Sequence, residues 1–207
     1  MKLKKKVKRL LLLIIIVGLG LGGYYVYKNI GKKEEVKEIK VINKIDKYGY
    51  QLKENKPSKY KNLFEELKEI LNEENVNEEN YVKKISEMFI YDFYSLSDKT
   101  AKTDIGGTDF VYNEILENFL QNAQDTYYKY VESNVYNNRK QSLPTVSNIT
   151  IEKVENTKFE YNNKYDDKAY EVDISWDYTD NQFSSYQKKA TLVFIHDGDK
   201  LSLVELQ

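Results

Sequence analysis

"AYEVDISWDYTD", residues 169–180, alternates without a break. Tyr170, Val172, Ile174, Trp176 and Tyr178 fall on one side, and Glu171, Asp173, Ser175 and Asp177 on the other. A period of two with one apolar side is the pattern of a strand that buries a single face. The neighbouring stretches follow the same rule. "VSNITIEKVE" (146–155) carries Ile149 and Ile151 on one side, and "YQKKATLVFIH" (186–196) is apolar on both faces from Leu192 to Ile195, as a central strand would be. Asp197-Gly198 is a hairpin signal, and "KLSLVELQ" (200–207) completes an antiparallel meander of four strands.

Upstream of Pro144 the period is helical. Tyr60, Leu63, Phe64, Leu67, Ile70 and Leu71 make one apolar face of a helix over Ser58–Asn72. Asn77 caps a second helix, with Glu78 and Glu79 in the turn where the macrodipole favours negative charge. Its face is Tyr81, Val82, Ile85, Met88 and Phe89, and it ends near Ser97-Asp98. Val111, Ile115, Phe119, Ala123, Tyr127, Tyr130 and Val131 predict a third and longest helix over Asp109–Val135. Before these, Tyr48, Tyr50 and Leu52 alternate as one strand closed by Pro57. The expected fold class is α+β: a helical hairpin and a long third helix packed on a curved antiparallel sheet of about four to five strands, with the helices on the Trp176 face.

The N-terminus follows different physics. Leu10–Tyr27 holds 18 residues without a charge, about 27 Å of helix against the ~30 Å of hydrocarbon in a bilayer. A cleaved signal would stop after Val17 at the glycines 18, 20, 22 and 23. Here the apolar character resumes in Tyr24, Tyr25 and Tyr27, which suit the outer headgroup level. The expectation is therefore a retained single-pass anchor over 10–27. The basic leader 1–9, with Lys4, Lys5, Lys6, Lys8 and Arg9, would stay in the cytoplasm; a charged stalk over 28–47 and a domain over 48–207 would lie outside it. Val36, Ile39, Ile42 and Ile45 in the stalk fit a short helix or a first strand equally.

Charge divides the same way. Residues 1–40 hold 11 basic and 3 acidic side chains, and the rest hold 21 basic and 30 acidic. An acidic outer domain argues against nucleic acid as a partner, since phosphate binding needs clustered Lys and Arg. The chain has no cysteine, which removes disulfides, thiolate metal sites and a Cys nucleophile.

No catalytic, cofactor or metal constellation emerges. Gly106-Gly107 reads as a turn with Thr108 capping the next helix, since no Lys-Ser/Thr pair follows as in a phosphate loop. His196, the only histidine, reads as an exposed hairpin residue, with no second His or Cys for zinc. The acidic pairs Asp166-Asp167, Asp173/Asp177 and Asp197/Asp199 read as solvated faces or turns. The 19 tyrosines stand out, because tyrosine suits both core boundaries and partner surfaces. Tyr127, Tyr130 and Trp176 are the candidate interaction or pocket residues.

One strand, a helical hairpin, a long helix and a four-stranded meander resemble the nuclear-transport-factor-two-like, cystatin-related cone over roughly residues 45–207. Behind one anchor, that order is similar to the extracytoplasmic subunits of bacterial conjugation machines and to uncharacterised membrane-anchored proteins of Gram-positive bacteria. The resemblance implies a concave sheet that encloses a pocket or supports homo-oligomerisation, and it transfers no functional residue, because no motif is shared. The functional expectation is a membrane-anchored domain that binds an envelope or membrane protein; the alternative is a ligand- or glycan-binding sensor with an aromatic pocket, and a pocket Asp/Tyr enzyme comes third.

Overall fold

The computed structural model describes Tyr24, residues 39–161 and residues 164–207. Tyr24 is helical and 65% exposed. The basic leader with Lys4, Lys5, Lys6, Lys8 and Arg9, the rest of the expected span with Tyr25 and Tyr27, and the stalk up to residue 38 lie outside the described residues. Among the described residues, no helix is long and apolar enough to cross a membrane.

The chain from Ile39 onward is α+β. Val41–Ile45 (β1), at the end of the segment read as a stalk, is a strand, antiparallel to Tyr50–Lys53 (β2). They are joined by a 3-10 turn over Asp46–Tyr48 and by Gly49 at φ 74°. Tyr48, Tyr50 and Leu52 all turn inward, as the alternation requires. Helix α1 (Ser58–Leu71) buries Tyr60, Phe64, Leu67 and Leu71. Helix α2 (Glu78–Tyr94) starts where expected, with the Asn77 side chain accepting the Asn80 N–H at 2.9 Å. From Met88 to Tyr94 every residue of α2 is buried. A helix apolar around its whole circumference belongs in the middle of a domain, and α2 lies against α1 on one side and against the sheet on the other.

The long third helix is a correction. A 3-10 turn at Thr108–Phe110, an extended step at Val111, a second 3-10 turn at Asn113–Ile115 and a short helix α3 (Leu116–Asp125) occupy its span. Tertiary bonds at its two ends override the helical pattern. Val111 bridges Leu203 in parallel and the Tyr112 N–H donates to the Leu203 carbonyl at 2.8 Å, so this backbone serves the sheet edge. At the other end Tyr128 turns fully inward: its hydroxyl donates to the Phe93 carbonyl at 2.6 Å and receives the Gly106 N–H at 3.1 Å. Side chains spaced three and four apart in consecutive turns mimic a single helical stripe.

The sheet is the expected meander. Strands β3 (Val146–Tyr161), β4 (Lys164–Tyr178), β5 (Lys189–Asp197) and β6 (Lys200–Leu206) pair in the order β3-β4-β5-β6, all antiparallel. A two-residue turn with Gly198 at φ 67° joins the last two. The four strands form one sheet and β1-β2 form a separate ladder. Trp176 is buried against α2, its ring centroid 4.3 Å from that of Tyr94. β3 and β4 are much longer than β5. The β4-β5 ladder ends at the Tyr170–Phe194 pair, and beyond it β3 and β4 continue as a two-stranded arm.

Candidate functional site

The arm and the broken third helix make a groove. Its floor is Val204, Glu205 and Leu206 of the edge strand β6. One wall begins at Tyr112, pinned to β6 by its backbone, and continues through Ile115, Asn118, Phe119 and Asn122. The 3, 4, 7 spacing of those four places them on one side of the turn and helix. The opposite wall is Phe159, Tyr161 and Lys164 from the arm. The groove is open along one side, and its volume is about 370 Å³, within the range of small-ligand sites, about 300–1,000 Å³.

Beneath the groove sits a second, smaller core on the outer face of the sheet: Ala169, Val193, Ile195 and Val204, with Tyr112 and Phe159 packed over them. The Lys164 ammonium lies 5.6 Å from the centre of the Tyr112 ring, bridging the two walls with a cation–π contact. Tyr161 is 53% exposed. The groove is aromatic, amide-bearing and wet at one edge.

Of the residues singled out from sequence, Trp176 is buried core and is not part of the groove's lining. Tyr127 is half-buried, its hydroxyl 2.8 Å from that of Tyr178 and its ring stacked on Phe93 at 5.9 Å. It borders a smaller recess of about 240 Å³ that shares Phe119 and Leu206 with the groove. Burial first, and then its bond to Tyr178, pushes its hydroxyl far above the usual tyrosine range. Tyr130 is 77% exposed and stands apart. Sequence reasoning missed Tyr112, Phe159 and Tyr161. The signal was present for two of them, because the period of two in "VENTKFEY" (154–161) runs on past Glu155.

Two polar clusters were also hidden by sequence distance. Asp92, deep in α2, takes the Lys56 ammonium at 2.6 and 2.7 Å, the Lys99 ammonium at 3.0 Å and the Gly107 N–H at 2.8 Å. Burial alone would raise its pKa; the two lysines and the glycine amide outweigh it and hold Asp92 down to about 2. Burial would lower the pKa of Lys99, but the carboxylates of Asp92 and Asp98 outweigh it and hold Lys99 above its usual range. This explains the glycine pair. Gly107 has φ 74° as a turn requires, but a Cβ on Gly106 would stand 2.0 Å from the Asp92 carbonyl oxygen.

His196 is the second. It is a half-buried bridge, not a free hairpin residue. Its backbone N–H donates to Asp166 Oδ2 at 2.7 Å and its Nδ1 lies 2.8 Å from the same oxygen. Nε2 faces Glu78 Oε2 at 3.4 Å, which also accepts the Tyr170 hydroxyl at 3.0 Å. Burial works against the Asp166 charge, but the two His196 bonds prevail and hold its pKa below the usual carboxylate range. Among the described residues, no group of three His, Cys, Asp or Glu side chains is placed to hold a metal ion. The chain matches no protein-family model, no curated protein and no solved structure.

Proposed function

We propose that the chain is a single-pass membrane protein, N-terminus in the cytoplasm, whose α+β domain lies outside and binds a segment of another envelope or membrane protein in the aromatic groove. The groove carries this reading. The fold leaves Phe119, Phe159 and Leu206 only partly covered and Tyr161 exposed along one edge strand. Partly covered aromatics beside a strand edge are what protein segments dock against. The uncharged run Leu10–Tyr27 behind six basic residues supports the anchor; of the cone's element order, the helical hairpin before an antiparallel meander is present and the long third helix is not. Among the groove's lining residues none is aspartate or histidine, so a pocket Asp/Tyr enzyme gains no support there. Asn118 and Asn122 beside flat aromatic faces favour a glycan as the second reading, since rings stack on sugars while amides bond their hydroxyls.

A photoreactive side chain at Tyr161 in the full chain, in its native membrane, tests the site, with Tyr136 (70% exposed, in a loop away from the groove) as control. A protein adduct from position 161 alone, lost with Phe159→Asp, is expected. Equal adducts from both positions, or none from 161, would overturn it; an adduct to a second copy would make the partner the chain itself, and a carbohydrate adduct would favour the second reading. Replacing the basic residues of 2–9 by glutamine should scramble orientation. A C-terminus that stays uniformly outside would count against the topology.

A further inference from the structure

We infer that His196 is a proton-operated clasp that sets the position of the arm and so of the groove wall. The arm runs past the end of the β4-β5 ladder. Its contacts with the rest of the domain include the Phe159 packing, the Lys164–Tyr112 contact and the Asp166–His196 pair. The third joins β4 to β5, and through Glu78 to the first turn of α2.

The chemistry of imidazole makes this joint conditional. A neutral ring has one N–H and one lone pair. With its N–H on Nδ1 it donates to Asp166, and the Nε2 lone pair then faces the Glu78 carboxylate at 3.4 Å. That is acceptor against acceptor. A protonated ring donates from both nitrogens: the Glu78 contact becomes a charge-assisted bond and the Asp166 bond, already made to an ionised acceptor, becomes an ion pair. The groups facing the ring are two carboxylates, Asp166 and Glu78, and the Tyr170 phenol, whose hydroxyl already donates to Glu78. The recess beside it holds one more carboxylate, Glu74, and the Lys47–Asp199 pair at 3.4 Å. Histidine is the side chain that changes charge near neutral pH, so acidification closes the clasp and ties the arm to α2.

The effect on binding rests on the groove reading above; the clasp itself is tested without any partner. Amide hydrogen exchange of the full chain, corrected for intrinsic rates, is measured at pH 7.5 and pH 5.5. Arm amides over residues 157–161 and 164–169 should be protected about tenfold more at the lower pH, the worth of one charge-assisted bond. Amides of β5 and of α2 beyond its first turn should not change. Glu78→Gln, at an exposed position, keeps the Asp166 contact and should reduce the gain to what that ion pair alone supplies. His196→Gln should give an arm whose protection no longer depends on pH. Equal gains in wild type and Glu78→Gln, or no gain in wild type, would overturn the clasp. If His196→Gln fails to fold, the Glu78→Gln comparison decides alone. A pH-dependent arm in wild type with no partner adduct at position 161 would leave the clasp standing and overturn the groove reading; an adduct at 161 with pH-independent exchange would do the reverse.

Discussion

The two faces of the sheet differ in how their apolar groups are closed. The inner face, Val172, Ile174, Trp176 and Tyr178, meets the wholly buried end of α2, where Phe93 touches Tyr94, Phe119, Tyr127 and Tyr128. The outer face has four small aliphatic residues under two partly covered aromatics. Inner contacts are therefore shared among many partners, so removing one side chain is felt throughout. Outer contacts end at the arm, and what is lost there stays local. A groove built on the second kind of packing can change shape without unfolding the first.

The strongest way to break this comparison is at Trp176. Truncation to alanine should cost about 3–5 kcal/mol in chemical denaturation, as for other buried aromatics. Trp176→Phe should cost far less. Among the described residues the buried indole N–H makes no well-formed hydrogen bond, Tyr178 offering at best a poorly aligned one, so phenylalanine removes a poorly satisfied donor along with some area. A loss from Trp176→Ala under about 1 kcal/mol would mean that the inner face is not the structural one.

Next comes the charged knot at Asp92. Its carboxyl is held at about 2 in the fold and is 3.8 ordinarily. A depressed pKa gives stability that is complete above the unfolded value and is lost as pH falls through the folded one. The window is therefore about pH 4 down to pH 2, and the loss is on the order of 2 kcal/mol. Denaturation midpoints across that range measure it, and a flat profile would deny the knot its role. Gly106→Ala, which drives a Cβ into the Asp92 carbonyl, should cost about 1–3 kcal/mol by overpacking.

How far the sequence predicts the molecule follows from the same contrast. Local periods decided α1, α2 and the four strands, because each buries one regular face and the pattern repeats over several turns or pleats. Residues 109–135 misled because Val111 and Tyr128 obey distant partners, Leu203 and Phe93, and a tertiary bond leaves no local trace. The groove was invisible for the same reason: its three parts are separated by up to 94 positions, Tyr112 to Leu206. His196 was legible as a residue and not as a site, since Asp166 is 30 positions away and Glu78 is 118. Only the arm could have been extended by eye, by following the alternation to Tyr161.

The smallest expected effects sharpen the comparison most. Phe159 is half-buried over the outer cluster. Full burial of such a side chain is worth about 1.5–3 kcal/mol, so Phe159→Ala should cost about 1–2 kcal/mol in denaturation while raising exchange in the arm and leaving α2 protected. Tyr161 contributes a groove wall and little burial, and Tyr161→Ala should change stability by less than about 0.5 kcal/mol. If the outer face is a docking face, the same substitution should abolish capture of the partner identified through the position-161 adduct. A side chain that costs nothing to remove and yet is required for binding is exposed for a reason other than folding. If Tyr161→Ala instead destabilised the domain as much as Phe159→Ala, the arm would be ordinary core, and the two faces would not differ in kind.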